Sequence, residues 1–158
     1  MIEIREIVNQ DMKAQITLEI MNALPDWFSP PEDIIRKSEM HRGYPFFSAF
    51  DGKNAVGFVA LKTHNIYTAD IFNIGILKEY HRQGIGHQLV DACISYCKRN
   101  SYKFLTVKTL DASAIYEPYN RTRSFYQKEG FYPLEVFTTI WDEENPCLFL
   151  LKVIEYNC

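Results

Sequence analysis

Residues able to bind an anion stand together in His81-Arg82-Gln83-Gly84-Ile85-Gly86, and a helical pattern of apolar residues begins at Ile85. Glycine permits positive φ angles and a close approach of a ligand to the backbone. The first amides of a helix have no partner within the helix and, together with the helix dipole, favour an anion. The segment therefore predicts a backbone cradle for phosphate groups, such as a pyrophosphate.

Two common nucleotide-binding motifs do not fit this segment. A dinucleotide fingerprint would need a third glycine after Gly84 and Gly86 and would follow the first strand, whereas this segment lies in the middle of the chain. A P-loop would end in Gly-Lys-Ser/Thr, which is absent here. A glycine-rich turn that merely starts a helix remains the alternative interpretation, because short glycine motifs recur by chance.

Hydrophobic periodicity indicates the elements that would position the cradle. A strand at 71–77 precedes it, and a helix over 85–97 follows it. The chain as a whole predicts one α/β domain (α+β mixed) over 1–158, with a mixed sheet and helices on its faces. The other predicted strands are 2–7, 44–50, 54–61, 104–110, 131–140 and 147–154, and the other predicted helices are 12–23, capped by Asp11, 32–40 and 122–129.

Composition and charge exclude several classes of partner. The chain has 17 Lys+Arg against 20 Asp+Glu and a net charge of -3, which disfavours nucleic acid and anionic membranes. The charged, alternating start lacks the features of a signal peptide, and no apolar run is long enough to span a bilayer. Cys93 and Cys97 share one helix face without metal-ligand partners nearby, so reduced thiols in a cytoplasmic protein without a metal site are expected.

Two separated segments carry a resemblance to a known family. Residues 80–86, with the strand before them, resemble the acyl-CoA-binding motif of the GNAT N-acetyltransferase superfamily, Gln/Arg-x-x-Gly-x-Gly/Ala, with His81 in the first position. Residues 125–131 resemble the second motif of that family, a helix with a Tyr followed by Gly-Phe. The resemblance implies a GNAT-like fold, in which a mixed, mostly antiparallel sheet contains one splayed parallel pair and carries helices on both faces.

The resemblance also implies acetyl-CoA as the co-substrate. The strand before the cradle would bind the pantetheine arm and the thioester, with Ile74 and Ile76 facing the arm and the amides near Ile76 and Lys78 as donors. Such donors stabilise the oxyanion of an acyl-transfer intermediate. The phosphates would meet the amides of Arg82, Gln83, Gly84, Ile85, Gly86 and His87, with the side chain of Arg82 or His81 adding charge.

Tyr126 and Asp70 are the catalytic candidates. Tyr126 matches the tyrosine that protonates the leaving thiolate in the family, and the alternative is an aromatic residue packed on a helix face. Asp70 is the candidate base for the acceptor amine, directly or through water, and the alternative is a solvated residue at the end of a strand. The weaker candidates for the base are Glu79, His64, Asp111 and Glu117.

An aromatic wall with carboxylates nearby would suit a cationic amine through cation–π and charge attraction. The alternative is that the aromatic residues anchor loops on the core and that the acidic turn is simply solvated. The candidate acceptor residues are Trp27, Phe28, Tyr116 and Trp141, together with Tyr44, Tyr119 and Asp142-Glu143-Glu144.

The sequence thus predicts an N-acetyltransferase that moves an acetyl group from acetyl-CoA to a primary amine, on a small molecule or a peptide or protein. Direct attack in a ternary complex needs no acyl-enzyme. The rivals are a non-catalytic acyl-CoA-binding regulatory module and a partner-binding domain without cofactor. Dimers are common in the family, and Phe137, Trp141 and Phe149 are candidates for a homodimer interface, with core packing as the alternative.

Overall fold

The computed structural model describes residues 1–156. The prediction of one domain over 1–158 stays a prediction, and Cys158 lies outside the described residues. In chain order the elements are β1 (Ile2–Glu6), α1 (Gln10–Asn22), α2 (Pro31–His41), β2 (Phe46–Asp51), β3 (Asn54–Thr63), β4 (Thr68–Ile76), a 3-10 turn (Lys78–Tyr80), α3 (Ile85–Arg99), β5 (Phe104–Leu110), α4 (Pro118–Lys128), β6 (Tyr132–Asp142) and β7 (Asn145–Val153).

The strands form a seven-stranded sheet in the order β1-β2-β3-β4-β5-β7-β6. Neighbouring strands are antiparallel except β4 and β5, which pair in parallel over only four residues, from Thr68–Phe104 to Ile71–Val107. Beyond Ile71, β4 continues to Ile76 without pairing with β5. The predicted fold class is therefore confirmed, including the splayed parallel pair.

A bulge in β4 marks the point of separation. Ala60 of β3 pairs with Asn73 and Leu61 pairs with Ile71, so Phe72 is an extra residue in β4. An extra residue bends its strand and increases the local twist. The bulge therefore coincides with the place where β4 leaves β5.

Each face of the sheet packs against helices. On one face, Leu89, Cys93 and Cys97 of α3 pack on a cluster that includes Val59 and Leu105. On the other face, residues of α1 and α2 pack around Phe46 and Phe58, whose rings stack with centroids 5.3 Å apart. The predicted core position of the two cysteines in α3 is confirmed, and burial raises the pKa of both thiols.

Several predicted boundaries were wrong for local reasons. The cap of α1 is Asn9 rather than Asp11, because the Asn9 side chain accepts a hydrogen bond from the Met12 amide at 2.9 Å. Helix α4 begins at Pro118, four residues before the predicted start at 122, since proline suits the first turn of a helix. Strand β4 begins at Thr68 rather than at 71, because residues 68–70 pair with β5 and Ala69 and Asp70 also pair with β3.

His41, the last residue of α2, is a fully buried histidine. Its Nδ1 lies 2.8 Å from the Thr17 hydroxyl and its Nε2 lies 2.8 Å from Asn73 Oδ1, so it links α1, α2 and β4. Burial lowers the pKa of His41 from 6.5 to about 4. The folded protein therefore holds this imidazole in its neutral form.

The unfolded chain binds a proton at His41 more readily than the folded chain, so the stability falls as the pH decreases from about 6.5 to about 4. We expect His41 alone to lower the free energy of unfolding by about 3 kcal/mol across this range. Urea unfolding at several pH values measures it, with His41→Asn as the comparison. Equal pH slopes for the two proteins would contradict the assignment.

Candidate active site

A cleft of about 1180 Å³ opens where β4 and β5 separate. Residues 70–76 of β4, whose edge is free of β5 beyond Ile71, form one wall, and Val107, Lys108 and Thr109 of β5 lie opposite. The turn before α3 closes one end, while α4 and the α1–α2 region form the remaining walls. One cavity thus brings together the glycine turn, Asp70 and Tyr126.

The turn before α3 presents unpaired backbone amides. Arg82 and Gly84 both have positive φ angles, 64° and 78°. Within residues 1–156, the amides of Arg82, Gln83 and Gly84 have no protein acceptor, and the first amides of α3 have none inside the helix. Alternating conformations of this type form a concave anion site, and the helix dipole strengthens it.

The two glycines of this turn have different structural roles. At Gly84 a Cβ would meet no atom within 4 Å, so the positive φ is what favours glycine, and a Cβ would occupy space that is now open. At Gly86 a Cβ would lie 2.9 Å from Cε1 of Phe125, so this glycine allows α3 and α4 to approach each other. Gly84 is therefore the position at which a substitution tests the cradle without disturbing helix packing.

Gly84→Ala tests the cradle against a matched control, Gly52→Ala in the β2–β3 turn. Gly52 also has a positive φ, 61°, and open space around its missing Cβ. We expect each variant to lose about 1 kcal/mol of stability, because L-residues are strained at positive φ. Calorimetry with acetyl-CoA should show weaker binding for Gly84→Ala alone. Unchanged binding in Gly84→Ala would contradict a phosphate site here.

The side chains of three other residues predicted at the cradle, His81, Arg82 and His87, differ in what they contact. The His81 ring donates from Nε2 to the carbonyl oxygen of Ile76 at 2.7 Å, so it braces the turn from within. Arg82 is exposed and lines the cleft. His87 also lines it, and its hydrogen bond to Glu129, 2.9 Å long, raises the pKa of the imidazole.

Two of the predicted cofactor residues do not line the cleft. The Lys78 ammonium group lies 3.2 Å from Oδ2 of Asp26, and the side-chain amide of Gln83 donates from Nε2 to the carbonyl oxygen of Glu79 at 3.3 Å. Their side chains thus serve local structure. Ile74, Ile76, Gly84, Ile85 and Gly86 do line the cleft.

Tyr126 lies on α4, 3% exposed, with its ring packed between those of Phe125 and Phe131. Within residues 1–156 its hydroxyl has no hydrogen-bond partner, and the residue lines the cleft. Burial raises the pKa of the phenol well above its ordinary value, and Tyr119 and Asp70 add to the rise. The phenol therefore stays neutral and keeps a proton to donate.

Asp70 lies in the paired part of β4 and is 3% exposed, so the alternative of a solvated strand end is wrong. The Thr106 hydroxyl donates to Oδ1 of Asp70 at 2.6 Å, and the Lys108 ammonium lies 3.7 Å from the same oxygen. Burial raises the pKa of Asp70, while Thr106 and Lys108 oppose the rise. A buried carboxylate of this kind is a stronger base than a surface aspartate.

The weaker candidates for the base do not reach the cleft, whose lining includes none of His64, Glu79, Asp111 and Glu117. Asp111, for example, accepts hydrogen bonds from the amide and the hydroxyl of Ser113 in a turn. Asp70 is therefore the one candidate for the base from the sequence that the structure brings to the cleft among residues 1–156.

Three polar residues of β5 were missed at the sequence level: Thr106, Lys108 and Thr109. The first two contact Asp70 across the parallel pair. Thr109 lines the cleft, and among residues 1–156 its hydroxyl is the one side-chain oxygen or nitrogen that is fully shut off from solvent and has no partner, whereas the Tyr126 hydroxyl keeps some access. The sequence gives one signal for them, the alternation of polar and apolar residues over Thr106, Val107 and Lys108. That pattern does not show which strand lies next to β5 in the sheet.

The aromatic residues predicted around the acceptor divide into two groups. Trp27, Phe28, Tyr119 and Trp141 line the cleft. Tyr116 does not, since its hydroxyl donates to the Asp26 carbonyl at 2.7 Å and anchors the proline-rich turn. Tyr44 packs against Phe72 and His41 instead.

The site has the features that acyl transfer needs. Strands β4 and β5 separate to open a cleft, unpaired amides before α3 can bind an anion, and the neutral Tyr126 phenol and the buried Asp70 carboxylate share the cleft. The model of the acetyltransferase (GNAT) family matches residues 4–131. The chain therefore belongs to the acetyltransferase (GNAT) family, an acyl-CoA-dependent enzyme family whose co-substrate is acetyl-CoA.

Individual relatives agree with this assignment. The chain is 27% identical over 128 residues to YsnE, an uncharacterised N-acetyltransferase of Bacillus subtilis (strain 168), covering 79% of this chain and 82% of the relative. A GNAT-family crystal structure from Desulfovibrio desulfuricans is 18% identical, with a TM-score of 0.83 over 98% of this chain and 100% of that one. A GNAT acetyltransferase from Elizabethkingia anophelis with acetyl-CoA bound is 20% identical, with a TM-score of 0.70 over 96% and 97%. At these identities the solved structures show the fold.

Two negative findings concern the described residues. Within residues 1–156 no helix is long and apolar enough to cross a membrane. Over the same part of the chain, no three His, Cys, Asp or Glu side chains are grouped so as to hold a metal ion.

Proposed function

We propose that the protein transfers the acetyl group of acetyl-CoA to a primary amine by direct attack in a ternary complex. The observation that carries the proposal is the shared cleft, in which the unpartnered Tyr126 hydroxyl and the buried Asp70 carboxylate lie where β4 leaves β5. The two groups are close enough for the carboxylate to raise the pKa of the phenol. A donor and a base thus serve the two ends of one acyl transfer.

The chain provides groups for each part of acetyl-CoA. The amides of Arg82 to His87 and the Arg82 guanidinium suit the pyrophosphate. The unpaired edge of β4 suits the pantetheine amides and the thioester carbonyl, since this edge no longer pairs with β5. The orphaned hydroxyl of Thr109, opposite that edge, gains a hydrogen-bond partner when a polar arm fills the cleft.

Asp70 and Tyr126 then handle the protons. The acceptor ammonium loses a proton towards Asp70, directly or through water, and the free amine attacks the thioester carbonyl carbon. As the tetrahedral intermediate collapses, the C–S bond breaks, the thiolate leaves, and the nitrogen gives its second proton to solvent, which yields the neutral amide. The Tyr126 hydroxyl donates to that sulfur, and because its pKa exceeds that of a thiol, near 8.5, its hydrogen bond stabilises the developing thiolate.

Two measurements separate this function from its rivals. Calorimetry with acetyl-CoA should show one binding event, and a thiol-release assay with a panel of amines, peptides and polyamines should show turnover with at least one acceptor. Binding without turnover on any acceptor would favour the regulatory module. Absence of binding would favour a partner-binding domain and would mean that the turn before α3 does not bind the phosphates of acetyl-CoA.

A homodimer stays a prediction, and β6 is the strand that would form its interface. Strand β6 is an edge strand of the sheet and carries exposed large apolar side chains. Such an edge is typical of a surface that binds another protein chain. Phe137 and Phe149 instead contact each other with ring centroids 6.2 Å apart. The exposed residues are Tyr132, Leu134, Val136, Ile140 and Trp141.

A further inference from the structure

The aromatic rings on the acceptor side of the cleft already carry cations from the chain itself. Trp27, Phe28 and Phe72 line the cleft, and Phe149 lies beside it under the Lys108 side chain. In each case a lysine ammonium lies within 6 Å of the ring centroid. The pairs are Lys78 over Trp27 at 5.8 Å, Lys37 over Phe28 at 5.9 Å, Lys62 over Phe72 at 5.7 Å and Lys108 over Phe149 at 5.3 Å. These faces are therefore poorly suited to a second cation from the acceptor.

The carboxylates on this side do not balance the cations. Asp33 is shared by Arg36 and Lys37, so one carboxylate serves two positive charges. Among residues 1–156, Lys62 has no carboxylate within 4 Å. Lys78 and Lys108 each lie near a carboxylate, that of Asp26 and that of Asp70, so the surplus positive charge around the acceptor space comes from Lys62 and from the Arg36–Lys37 pair that shares Asp33.

Two of the lysines flank the proposed base on the same face of the sheet. Lys62 is the cross-strand partner of Asp70, and such partners point to the same face. Thr106 is the partner of Asp70 in β5, and Lys108 lies two residues further along that strand, so it shares the face as well. Lys108 lines the cleft, whereas Lys62 lies outside the lining, with its ammonium 5.7 Å from the ring centroid of Phe72, which does line it. An amine nitrogen placed at Asp70 would therefore lie between the β5 strand that carries Lys108 and the β3 strand that carries Lys62.

We propose that the acceptor is an amine that also carries an anionic group, a carboxylate or a phosphate, next to an apolar body. The inference rests on the proposed acetyl transfer and narrows its acceptor. Asp70 receives the proton of the amine, while Lys62 and Lys108 hold the anion. Phe28, Met40 and Trp141 line the cleft with the apolar surface that the body of the acceptor would contact. A polyamine would meet repulsion here.

Matched acceptors test the inference by thiol release. L-phenylalanine is compared with L-phenylalaninamide, and O-phosphoethanolamine with ethanolamine, so each pair differs in the anion. We expect the anionic member of at least one pair to have a kcat/KM about tenfold higher, through a lower KM, because a charge-assisted hydrogen bond is stronger than a neutral one. A preference within the phenylalanine pair would identify the anion as a carboxylate, and a preference within the ethanolamine pair would identify it as a phosphate. Equal or faster turnover of both neutral members, or of spermidine, would overturn the inference.

Lys62→Met identifies the group that holds the anion. Methionine keeps an apolar stem over Phe72 and removes only the charge, and Lys53→Met, in the exposed β2–β3 turn, is the matched control. We expect the KM of the preferred anionic acceptor to rise about tenfold in Lys62→Met, through loss of a charge-assisted contact, with the neutral partner and acetyl-CoA affinity unchanged. Lys53→Met should behave as wild type. An unchanged anion preference in Lys62→Met would overturn the role of Lys62.

Failure of the inference differs from failure of the proposed function. Turnover of neutral or polycationic amines without any anion preference leaves acetyl transfer in place and overturns the anionic acceptor. Bound acetyl-CoA without thiol release for any amine overturns both.

Discussion

Tyr126→Phe is expected to lower kcat by about 10²-fold, the scale of a lost proton donor in the transition state. The variant keeps the ring between Phe125 and Phe131, so packing is preserved and only the hydroxyl is lost. Because that hydroxyl has no partner within residues 1–156, its removal leaves no protein group unpaired. The affinity for acetyl-CoA should therefore change little.

Tyr119→Phe is the matched control, since it removes a hydroxyl from the same helix. That hydroxyl donates to the Trp27 carbonyl at 3.1 Å and tethers the proline-rich turn. We expect a modest effect on acceptor KM and little effect on kcat. Steady-state kinetics with calorimetry of acetyl-CoA binding measures both variants, and an equal loss of kcat and affinity in Tyr126→Phe would reassign Tyr126 to binding.

Asp70→Asn is expected to lower kcat/KM by about 10²-fold and to remove the acidic limb of its pH profile, since general bases contribute 10²–10⁴-fold. The reaction needs the ionised carboxylate, so activity should rise as the pH increases through the pKa of Asp70. Burial raises that pKa, which moves the limb above the range of a surface aspartate. A pH profile of Asp70→Asn that matches wild type would remove Asp70 as the base.

Thr106→Val tests how the pKa of Asp70 sets the acidic limb of the pH profile while the carboxylate itself is kept. The Thr106 hydroxyl donates to Asp70 Oδ1 and lowers the pKa of the carboxyl. Without this bond the ionised form is less stable, so the acidic limb should move to higher pH while the maximal rate is largely kept. A shift to lower pH would contradict the assigned hydrogen bond.

The elements with strong periodicity could be predicted from the sequence. Helix α3 begins at Ile85, directly after the glycine turn, and β5 occupies 104–110 as predicted, with Leu105, Val107 and Leu110 as its buried apolar residues. The start of β4 was missed, since Thr68, Ala69 and Asp70 are held in the sheet by pairing with β5, and the last two also by pairing with β3. The hydrophobic pattern of the sequence thus predicted the elements whose own residues have a clear periodicity.

The site depends more on long-range pairing. The bulge at Phe72 arises from the register between β3 and β4, which no local pattern indicates. Thr106 and Lys108 reach Asp70 from 36 and 38 positions along the chain, and only the parallel register brings them together. The charge around the acceptor likewise differs from the mild acidity of the whole chain, because lysines from separate elements converge on one side of the cleft.

Direct transfer from acetyl-CoA to an amine bound in the same cleft differs from a double displacement in its initial rates when both substrates are varied. We expect double-reciprocal lines that intersect, as in a ternary complex, because Cys93 and Cys97 are buried on the core face of α3 and no acyl-enzyme forms. Parallel lines, the mark of a covalent double displacement, would contradict it.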